Sequence, residues 1–345
     1  MTIQLKTTSV RAALFRSPAD VILRGRELPA PGPEEVIVEV DACGICGTDL
    51  TAIFEGRAEY ENFGHEVAGR IVETGSKFDS IPLNTRVVLE SSSACGVCAH
   101  CRNMQQELCS NVTSFWPKGY FGFAERMPSP GISAVPYDGL SPGVASLSEP
   151  LGVALDMHRL TDIRQDSVVL VSGLGPIGLM AVRLAKLSGA RRIYAVSYSR
   201  LKVRNETALK FGADELILED KTPVATFRFP EKPDRFLVTA PPQVLPSMFQ
   251  IAAKGSILSY IGIKNGEGAK ISFDANEFHF KKLQLRASFA SPAMLTPLAL
   301  TLLKDGAVDG EALITHRFGL EEMPEAVRVA CFEKETCIKV VMVRR

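Results

Sequence analysis

Four cysteines stand close together in the polar stretch CGVCAHCRNMQQELC, at Cys95, Cys98, Cys101 and Cys109. Disulfides, an iron–sulfur cluster, a redox switch and a zinc site are the chemistries open to them. The first residues, MTIQLKTTSVRAALF, lack the apolar region of a signal peptide, so we expect a cytoplasmic, reducing location. Cysteine clusters in reducing compartments are more often metal or catalytic sites than disulfides.

The spacing of these cysteines, C-x2-C-x2-C-x7-C, separates the remaining alternatives. The bacterial ferredoxin run has three residues before its last cysteine and a proline after it, and this stretch has neither feature. A redox switch needs one reactive thiol and one partner, which leaves two cysteines unexplained. Four thiolates suit tetrahedral Zn²⁺, and a zinc site with no open position is structural. We therefore predict a structural zinc ion here.

A second group of potential ligands lies upstream of the cysteine cluster. The stretch ACGICGTDL supplies Cys46, and FGHEVAG supplies His65 and Glu66. A thiolate, an imidazole and a carboxylate can hold a catalytic metal while leaving a position for water or substrate. Each residue considered alone has a plainer interpretation, because a histidine or a cysteine is often only part of the core.

A glycine-rich turn follows the apolar run VVLVSG and leads directly into a helical pattern. G-x-G-x-x-G between a strand and a helix is a dinucleotide-binding fingerprint. Its glycines permit the tight turn, the approach of the pyrophosphate and the packing of helix on strand, and the helix N-terminus faces the phosphates. The predicted cofactor contacts are Gly173, Gly175, Pro176, Ile177 and Gly178.

The choice between NAD and NADP is predicted from the end of the second strand of this βαβ unit, about 20 residues after the glycine-rich turn. An NAD enzyme usually carries Asp or Glu there, whereas this chain has Ser197, with basic residues following. Hydroxyl and guanidinium groups can bind a 2′-phosphate, which a carboxylate would repel. We expect NADP to be preferred over NAD, although the basic residues could also form a solvated helix face. The predicted contacts are Ser197, Ser199, Arg200 and Arg204.

The elements that must position these residues differ along the chain. Residues 10–90 alternate short β-branched runs with glycine and proline, which predicts a β-rich region. From about residue 165, apolar strand-like runs alternate with helical patterns, which predicts an α/β fold with a doubly wound parallel sheet. The proline-rich stretch KTPVATFRFPEKPD, between two strands, predicts a truncated helix. A strand-like CIKVVMV ends the chain.

Length and charge limit the function classes. The chain has 345 residues, enough for two domains, and a formal net charge of zero. We therefore expect neither a nucleic acid nor a membrane as partner, and a small molecule as substrate.

The motifs GICGTD, GHE, the four-cysteine stretch and GLGPIG occur in one order over nearly the whole chain, and together they resemble the zinc-dependent medium-chain dehydrogenase/reductase family. SLSEPLGVALD adds Glu149, at a position where the chain resembles the polyol (sorbitol and sugar) dehydrogenase branch of the family. The stretch THRF at 315–318 is similar to that branch as well. The resemblance implies a β-rich, GroES-like catalytic domain with a structural-zinc lobe, formed by residues 1–155 and 291–345. A Rossmann domain at 156–290 would lie between these segments.

The resemblance also implies an active site. Cys46 and His65 would hold a catalytic zinc, with Glu66 and Glu149 as carboxylates that bind it directly or through water. Thr48 resembles the hydroxyl that passes the proton outward, and Asp49 the carboxylate that orients His65. The implied activity is hydride transfer between NADP(H) and a secondary alcohol of a polyol, sugar or cyclitol.

The alternatives are an NAD-dependent sugar-acid or amino-alcohol dehydrogenase and, less favoured, a non-catalytic zinc-binding relative. Relatives pair their Rossmann domains edge to edge, so a homodimer or homotetramer formed through LQLRASFA and FHFKK is expected.

The chain departs from the family pattern at three places. Thr51 replaces the histidine of GTDLH, and TAPPQ replaces an acidic-glycine segment. The stretch from Cys46 to His65 is short for the family and carries EGRAEYEN without the usual proline before GHE. Within EGRAEYEN, the side chains of Glu55, Arg57, Glu59 and Tyr60 either line the substrate cleft or form a solvated loop.

Overall fold

The computed structural model describes residues 8–345, which divide into two compact units. One unit joins the chain up to Gly152 with Ala290–Arg345, and the other is Val153–Phe289. The first unit therefore depends on both ends of the sequence. Within the described range, the helices are all too short or too polar to cross a membrane.

Residues 8–161 hold most of the β structure of the first unit. Their strands and helices are β1 (Thr8–Arg16), β2 (Asp20–Leu28), β3 (Glu35–Gly44), α1 (Gly47–Phe54), β4 (Glu61–Asn62), β5 (Glu66–Thr74), β6 (Arg86–Leu89), β7 (Ser92–Ser93), α2 (Ala99–Arg102), β8 (Thr113–Ser114), β9 (Arg126–Pro130), β10 (Ala134–Pro136), α3 (Pro142–Ser146) and α4 (Ser148–Thr161).

The remaining elements are strands alternating with helices, followed by the segment that returns to the first unit. They are β11 (Val168–Ser172), α5 (Pro176–Leu187), β12 (Arg192–Ser197), α6 (Lys202–Phe211), β13 (Glu215–Leu218), β14 (Arg235–Val238), α7 (Leu245–Ile251), β15 (Ile257–Tyr260), α8 (Ala275–Phe280), β16 (Gln284–Ala287), α9 (Thr296–Lys304), α10 (Gly310–Leu313), β17 (Ile314–Phe318), α11 (Met323–Phe332) and β18 (Lys339–Val343).

Strand β3 organises the first unit. It pairs antiparallel with β5 along one side, and with β9 and then β18 along the other. Its run VIVEV is apolar enough to be buried on both faces, and Val36 and Val38 are fully enclosed in the core. Because β18 lies beside the end of β3, the C-terminus of the chain reaches the turn that carries Cys46.

The second unit is a six-stranded, wholly parallel sheet with the order β13-β12-β11-β14-β15-β16. This is the Rossmann order, so the predicted fold class is confirmed. Between β13 and β14 the described chain forms only a single 3₁₀ turn, Val224–Thr226. The rings of Phe227 and Phe229 pack edge-on against Tyr194 there, so aromatic packing replaces the truncated helix.

The segment that returns to the first unit is fixed by side-chain hydrogen bonds. The hydroxyls of Ser291 and Ser92 are 2.7 Å apart, and Thr296 donates to Glu90 Oε1 at 2.8 Å. Burial raises the pKa of Glu90 above its ordinary value, although the hydrogen bonds that the carboxylate accepts from Ser93 and Thr296 offset part of this rise. These contacts attach residues 291–296 to the strands beside the cysteine lobe.

Candidate active site

The four cysteines predicted to bind zinc converge. Their sulfur atoms all lie within 4.8 Å of one another, and the shorter pairs are 3.5–4.0 Å apart. A tetrahedral ion with Zn–S bonds of about 2.3 Å needs sulfur atoms roughly 3.8 Å apart. Backbone N–H groups of Cys101 and Ser110 lower the pKa of Cys98 to about 5, which favours the thiolate that a metal requires. The cluster fits a structural zinc ion.

Asp49 connects the two predicted ligands of the second site. Cys46 precedes α1, and its backbone N–H donates to Asp49 Oδ2 at 2.9 Å. The other oxygen, Oδ1, lies 3.5 Å from His65 Nδ1 and accepts a hydrogen bond from the Gly64 N–H at 3.3 Å. Because Asp49 lies on the Nδ1 side of the ring, the imidazole Nε2 is left for a metal. This carboxylate therefore fixes both ligand-bearing loops.

The electrostatics of this region favour a cation. Burial by itself lowers the pKa of His65, but attraction to Cys46 and Asp49 raises it well above its ordinary value. Burial raises the pKa of Glu149 to about 7, while attraction to His65 opposes the rise and repulsion from Glu66 adds to it. Cys46, Asp49 and the carboxylates near the imidazole create a negative potential that the buried Lys339 offsets only in part, and a divalent metal ion would relieve the rest.

Glu66 has a partner that the sequence reasoning missed. Lys339, at the start of β18, donates to Glu66 Oε1 at 2.5 Å and to the Ile45 carbonyl at 2.8 Å. Gly44 makes room for this carboxylate, because a Cβ there would lie 2.0 Å from Glu66 Oε2. A lysine inside the apolar stretch CIKVVMV was the available signal.

The carboxylates do not complete a tight set of metal ligands with Cys46 and His65. Within residues 8–345, the four cysteines are the only group of three or more His, Cys, Asp or Glu side chains whose ligand atoms all lie within 4.8 Å of one another. Glu149 lies in the first turn of α4, where it interacts electrostatically with His65 and Glu66. The structure thus brings Cys46, His65, Glu66 and Glu149 close together, but their ligand atoms are spaced more widely than the sulfur atoms of the four-cysteine cluster.

A cleft of about 600 Å³ adjoins this neighbourhood. Thr48 lines it, together with Trp116, whose indole lies 5.2 Å from the His65 ring, centroid to centroid. The Thr51 hydroxyl donates to the Gly47 carbonyl of the same helix. Phe115, in contrast, is fully buried core.

The side chains of the EGRAEYEN segment lie partly along the cleft and partly in solvent. Arg57 and Tyr60 line the cleft, whereas Glu55 and Glu59 are exposed and do not. The loop is pinned at Arg57, whose backbone N–H donates to Ser17 Oγ at 2.8 Å.

The glycine turn of the second unit has the geometry of a phosphate-binding loop. Gly173 has φ +94°, and a Cβ on Gly178 would lie 1.9 Å from the Gly173 carbonyl oxygen, so both positions need glycine. A Cβ on Gly175 would meet nothing within 4 Å, which leaves space for a ligand beside the start of α5. Pro176 and Ile177 open that helix. Thr239, from the divergent TAPPQ segment, donates to the Gly173 carbonyl at 2.8 Å.

The side chains at the end of β12 differ in what they can offer. The Ser197 hydroxyl is buried and has no hydrogen-bond partner in the described part of the chain. Ser199 donates through both its N–H, at 2.7 Å, and its hydroxyl to Asp220, a carboxylate that the sequence reasoning missed. The Arg200 guanidinium lies over the Tyr198 ring at 5.2 Å. Arg204, in α6, is half-buried.

Comparisons with known proteins agree with this architecture. Residues 32–138 match the model for the alcohol dehydrogenase GroES-like domain, and residues 176–305 match that for the zinc-binding dehydrogenase. Together the two models cover more than half of the chain.

Curated and solved relatives match over nearly full length. The chain is 28% identical to L-threonine 3-dehydrogenase of Francisella tularensis subsp. tularensis, over 96% of this chain and 98% of the relative. It is 25% identical to L-galactonate-5-dehydrogenase of Escherichia coli K12, over 97% and 99%. The solved alcohol dehydrogenase TADH of Thermus sp. ATN1 is 27% identical, with a TM-score of 0.85 and coverage of 97% and 100%.

The matched models, the parallel sheet and the two cysteine-containing sites lead to one assignment. The chain belongs to the zinc-dependent medium-chain dehydrogenase/reductase (alcohol dehydrogenase) family and is an oxidoreductase that acts on CH–OH groups.

Proposed function

We propose that the protein transfers hydride between NADP(H) and a secondary alcohol of a polyol, sugar or cyclitol-like substrate. The observation that carries this proposal is the position of Asp49, which contacts the backbone of Cys46 and the imidazole of His65 at once. A carboxylate that orients a histidine while a thiol stands beside it is the arrangement of a catalytic metal site.

The proposal includes two zinc ions per chain. Cys95, Cys98, Cys101 and Cys109 would hold the structural ion. Cys46 and His65 would hold the catalytic ion, and we propose that Glu149 reaches it through water because the three ligand atoms do not converge directly. Glu66 would reach this ion through water while it stays paired with Lys339. Bound there, zinc would polarise the substrate oxygen as a Lewis acid, and the nicotinamide would exchange the hydride.

The chain's own side chains perform the remaining tasks. Trp116 forms an apolar wall beside His65, and it lines the cleft with 45% of the residue exposed. The exposed Thr48 hydroxyl lies where a substrate hydroxyl could give up its proton. Because Thr51 is bonded to its own helix, we propose that this proton passes from Thr48 directly to solvent.

The preference for NADP rests on Arg200 and Ser197. Arg200 is exposed and has no carboxylate within salt-bridge distance among the described residues, so its guanidinium is available to a 2′-phosphate. Ser197 places a small hydroxyl, and no carboxylate that would repel a 2′-phosphate, at the end of β12. Ser199 is less suited, because Asp220 already accepts its hydroxyl proton. Arg204 could reinforce Arg200 from α6.

An NAD-dependent sugar-acid or amino-alcohol dehydrogenase is the second candidate, since relatives are named for L-galactonate and L-threonine. We also propose self-association through the sheet edge at β16, beside which Phe280 and Phe289 are 72% and 75% exposed. Location in the cytoplasm stays a prediction.

A metal count combined with a substrate screen tests the proposal. Two zinc ions per chain, with NADP reduction by at least one polyol, sugar or cyclitol, are expected. One ion retained by the cysteine cluster, with no oxidation of any alcohol tested, would instead indicate the non-catalytic relative. Tighter binding of NAD than of NADP would end the cofactor preference.

A further inference from the structure

The cleft beside Thr48 has an unbalanced set of charged side chains. Arg26, Arg57 and Lys118 line it, whereas its acidic residues are Glu61 and the buried Asp49. Asp49 is occupied by Cys46 and His65, so it does not neutralise the basic groups. The basic cleft, as we call this group of Arg26, Arg57 and Lys118, therefore presents positive charge next to the proposed catalytic residues.

The three basic groups differ in how far they are neutralised. Lys118 is paired with Glu35, which does not line the cleft. Arg57 has only a long contact with Glu61, at 3.7 Å, and both side chains are exposed. Arg26 forms no salt bridge with any described residue. Because Arg26 is half-buried, a carboxylate ligand would supply the opposite charge that no described residue gives it.

Arg26 is nevertheless held in place. One nitrogen donates to the Gly119 carbonyl at 3.4 Å, and the guanidinium lies over the Tyr120 ring at 4.7 Å. Asn62 donates to the same carbonyl at 2.8 Å, which fixes this part of the wall. The guanidinium is thus held by one N–H group and by one of its faces. Its other N–H groups stay available to a ligand, and their planar arrangement matches the two oxygens of a carboxylate.

We infer that the basic cleft binds the carboxylate of a polyhydroxy-acid substrate through Arg26, assisted by Arg57, while the hydroxyl to be oxidised lies at Thr48. This inference rests on the proposed hydride transfer, and for the substrate it favours the sugar acids of the second candidate over uncharged polyols. Trp116 lines the same cleft as Arg26 and Thr48, so its indole offers an apolar surface to the carbon chain of an aldonate.

Binding can be measured separately from catalysis because Trp116 is the single tryptophan of the chain. D-gluconate, L-idonate and L-galactonate are titrated against the zinc-loaded protein without cofactor, with sorbitol as the uncharged control, and emission is followed. At least one aldonate is expected to change the emission at tenfold lower concentration than sorbitol. Equal responses to all four compounds, or none to any aldonate, would overturn the inference.

Arginine variants locate the site. Arg26→Gln is expected to weaken aldonate binding at least tenfold and to raise KM for the aldonate with little change in kcat, and Arg57→Gln to have a smaller effect. Arg26→Lys should recover part of the loss, since it keeps charge without the fork. Arg24→Gln is the matched control, because Arg24 lies two residues earlier on β2, over Tyr60, and does not line the cleft.

The outcomes separate this inference from the proposed function. Aldonate binding that depends on Arg26, without oxidation of any alcohol, would keep the anion site and reject the proposed activity. Polyol oxidation that is unaffected by Arg26→Gln, with no aldonate preference, would keep the activity and reject the anion site. If glucose 6-phosphate bound more tightly than every aldonate, the cleft would be a phosphate site, and the proposal that it binds a carboxylate would be overturned.

Discussion

Lys339 and Glu66 form an ion pair that is withdrawn from solvent, with 3% and 0% of their side chains exposed and 2.5 Å between Nζ and Oε1. Burial alone lowers the pKa of Lys339, but the Glu66 carboxylate and Cys46 raise it above its ordinary value. The pair joins β18 to β5, which are paired on opposite sides of β3. Strand β18 therefore contributes to the surroundings of Cys46 and Glu66 as well as to the sheet.

Replacing this lysine should destabilise the first unit. Lys339→Met leaves Glu66 as a buried carboxylate without its cation, and breaking such a pair costs about 3–5 kcal/mol. The free energy of unfolding, measured by urea denaturation at pH 7, is expected to fall by that amount.

The double variant Lys339→Met/Glu66→Gln is the control for that experiment. It removes the uncompensated charge, so most of the lost stability should return. A single variant that loses less than about 1 kcal/mol would show that water or another group compensates Glu66.

The two cysteine-containing sites should respond differently to serine. Cys98→Ser breaks the four-sulfur cluster and is expected to remove one zinc ion and lower the melting temperature, because structural zinc contributes folding energy. Cys46→Ser should abolish turnover while unfolding stays within about 1 kcal/mol of wild type, since Cys46 occupies the N-cap of α1 and serine is a favourable N-cap.

Turnover assays, elemental analysis and calorimetry of both variants check this contrast. A Cys46→Ser protein that keeps full turnover would remove Cys46 from the catalytic site. A Cys98→Ser protein with unchanged zinc content and melting temperature would show that the cluster is not a metal site.

Local patterns predicted the fold and the convergence of the four cysteines. The alternation of strands and helices predicted the parallel sheet, and the cysteine spacing predicted the cluster, because both signals lie within short stretches of chain. Lys339 could not be predicted as the partner of Glu66, since 273 residues separate them and only the pairing of β18 with β3 brings them together. Arg26, on β2, likewise meets Arg57 and Lys118 only in the folded unit.

Cofactor preference should change in opposite directions at two neighbouring positions. Arg200→Ala removes the guanidinium proposed to bind the 2′-phosphate and should weaken NADP binding by about ten- to a hundredfold, the value of a charged hydrogen bond. Asp220→Asn removes a carboxylate beside Ser199 and should tighten NADP binding. Neither change should alter the affinity for NAD more than threefold, roughly 0.6 kcal/mol.

Calorimetric titration of each variant with NADP and NAD is the measurement. If Arg200→Ala weakened both cofactors equally, its role would be general positioning of the adenosine, and the preference for NADP would lose its support.

Tyr137 should make stability depend on alkaline pH. Its hydroxyl is buried without a hydrogen-bond partner in the described chain, and burial raises the pKa of Tyr137 to about 12. An unfolded tyrosine ionises near pH 10. Between these values the folded state binds the proton more tightly than the unfolded state, so the stability associated with Tyr137 is full below about pH 10 and is lost as pH rises toward 12.

Tyr137→Phe tests this dependence because it removes the hydroxyl and keeps the ring. At pH 7 the variant should be as stable as wild type or more stable by about 1 kcal/mol, since an unsatisfied buried hydroxyl is lost. From pH 9 to 11 its advantage in the free energy of unfolding should grow, because only wild type has this group to ionise. Parallel pH profiles of the two proteins in urea denaturation would show that a water molecule or another partner satisfies the hydroxyl and that its ionisation is not linked to folding.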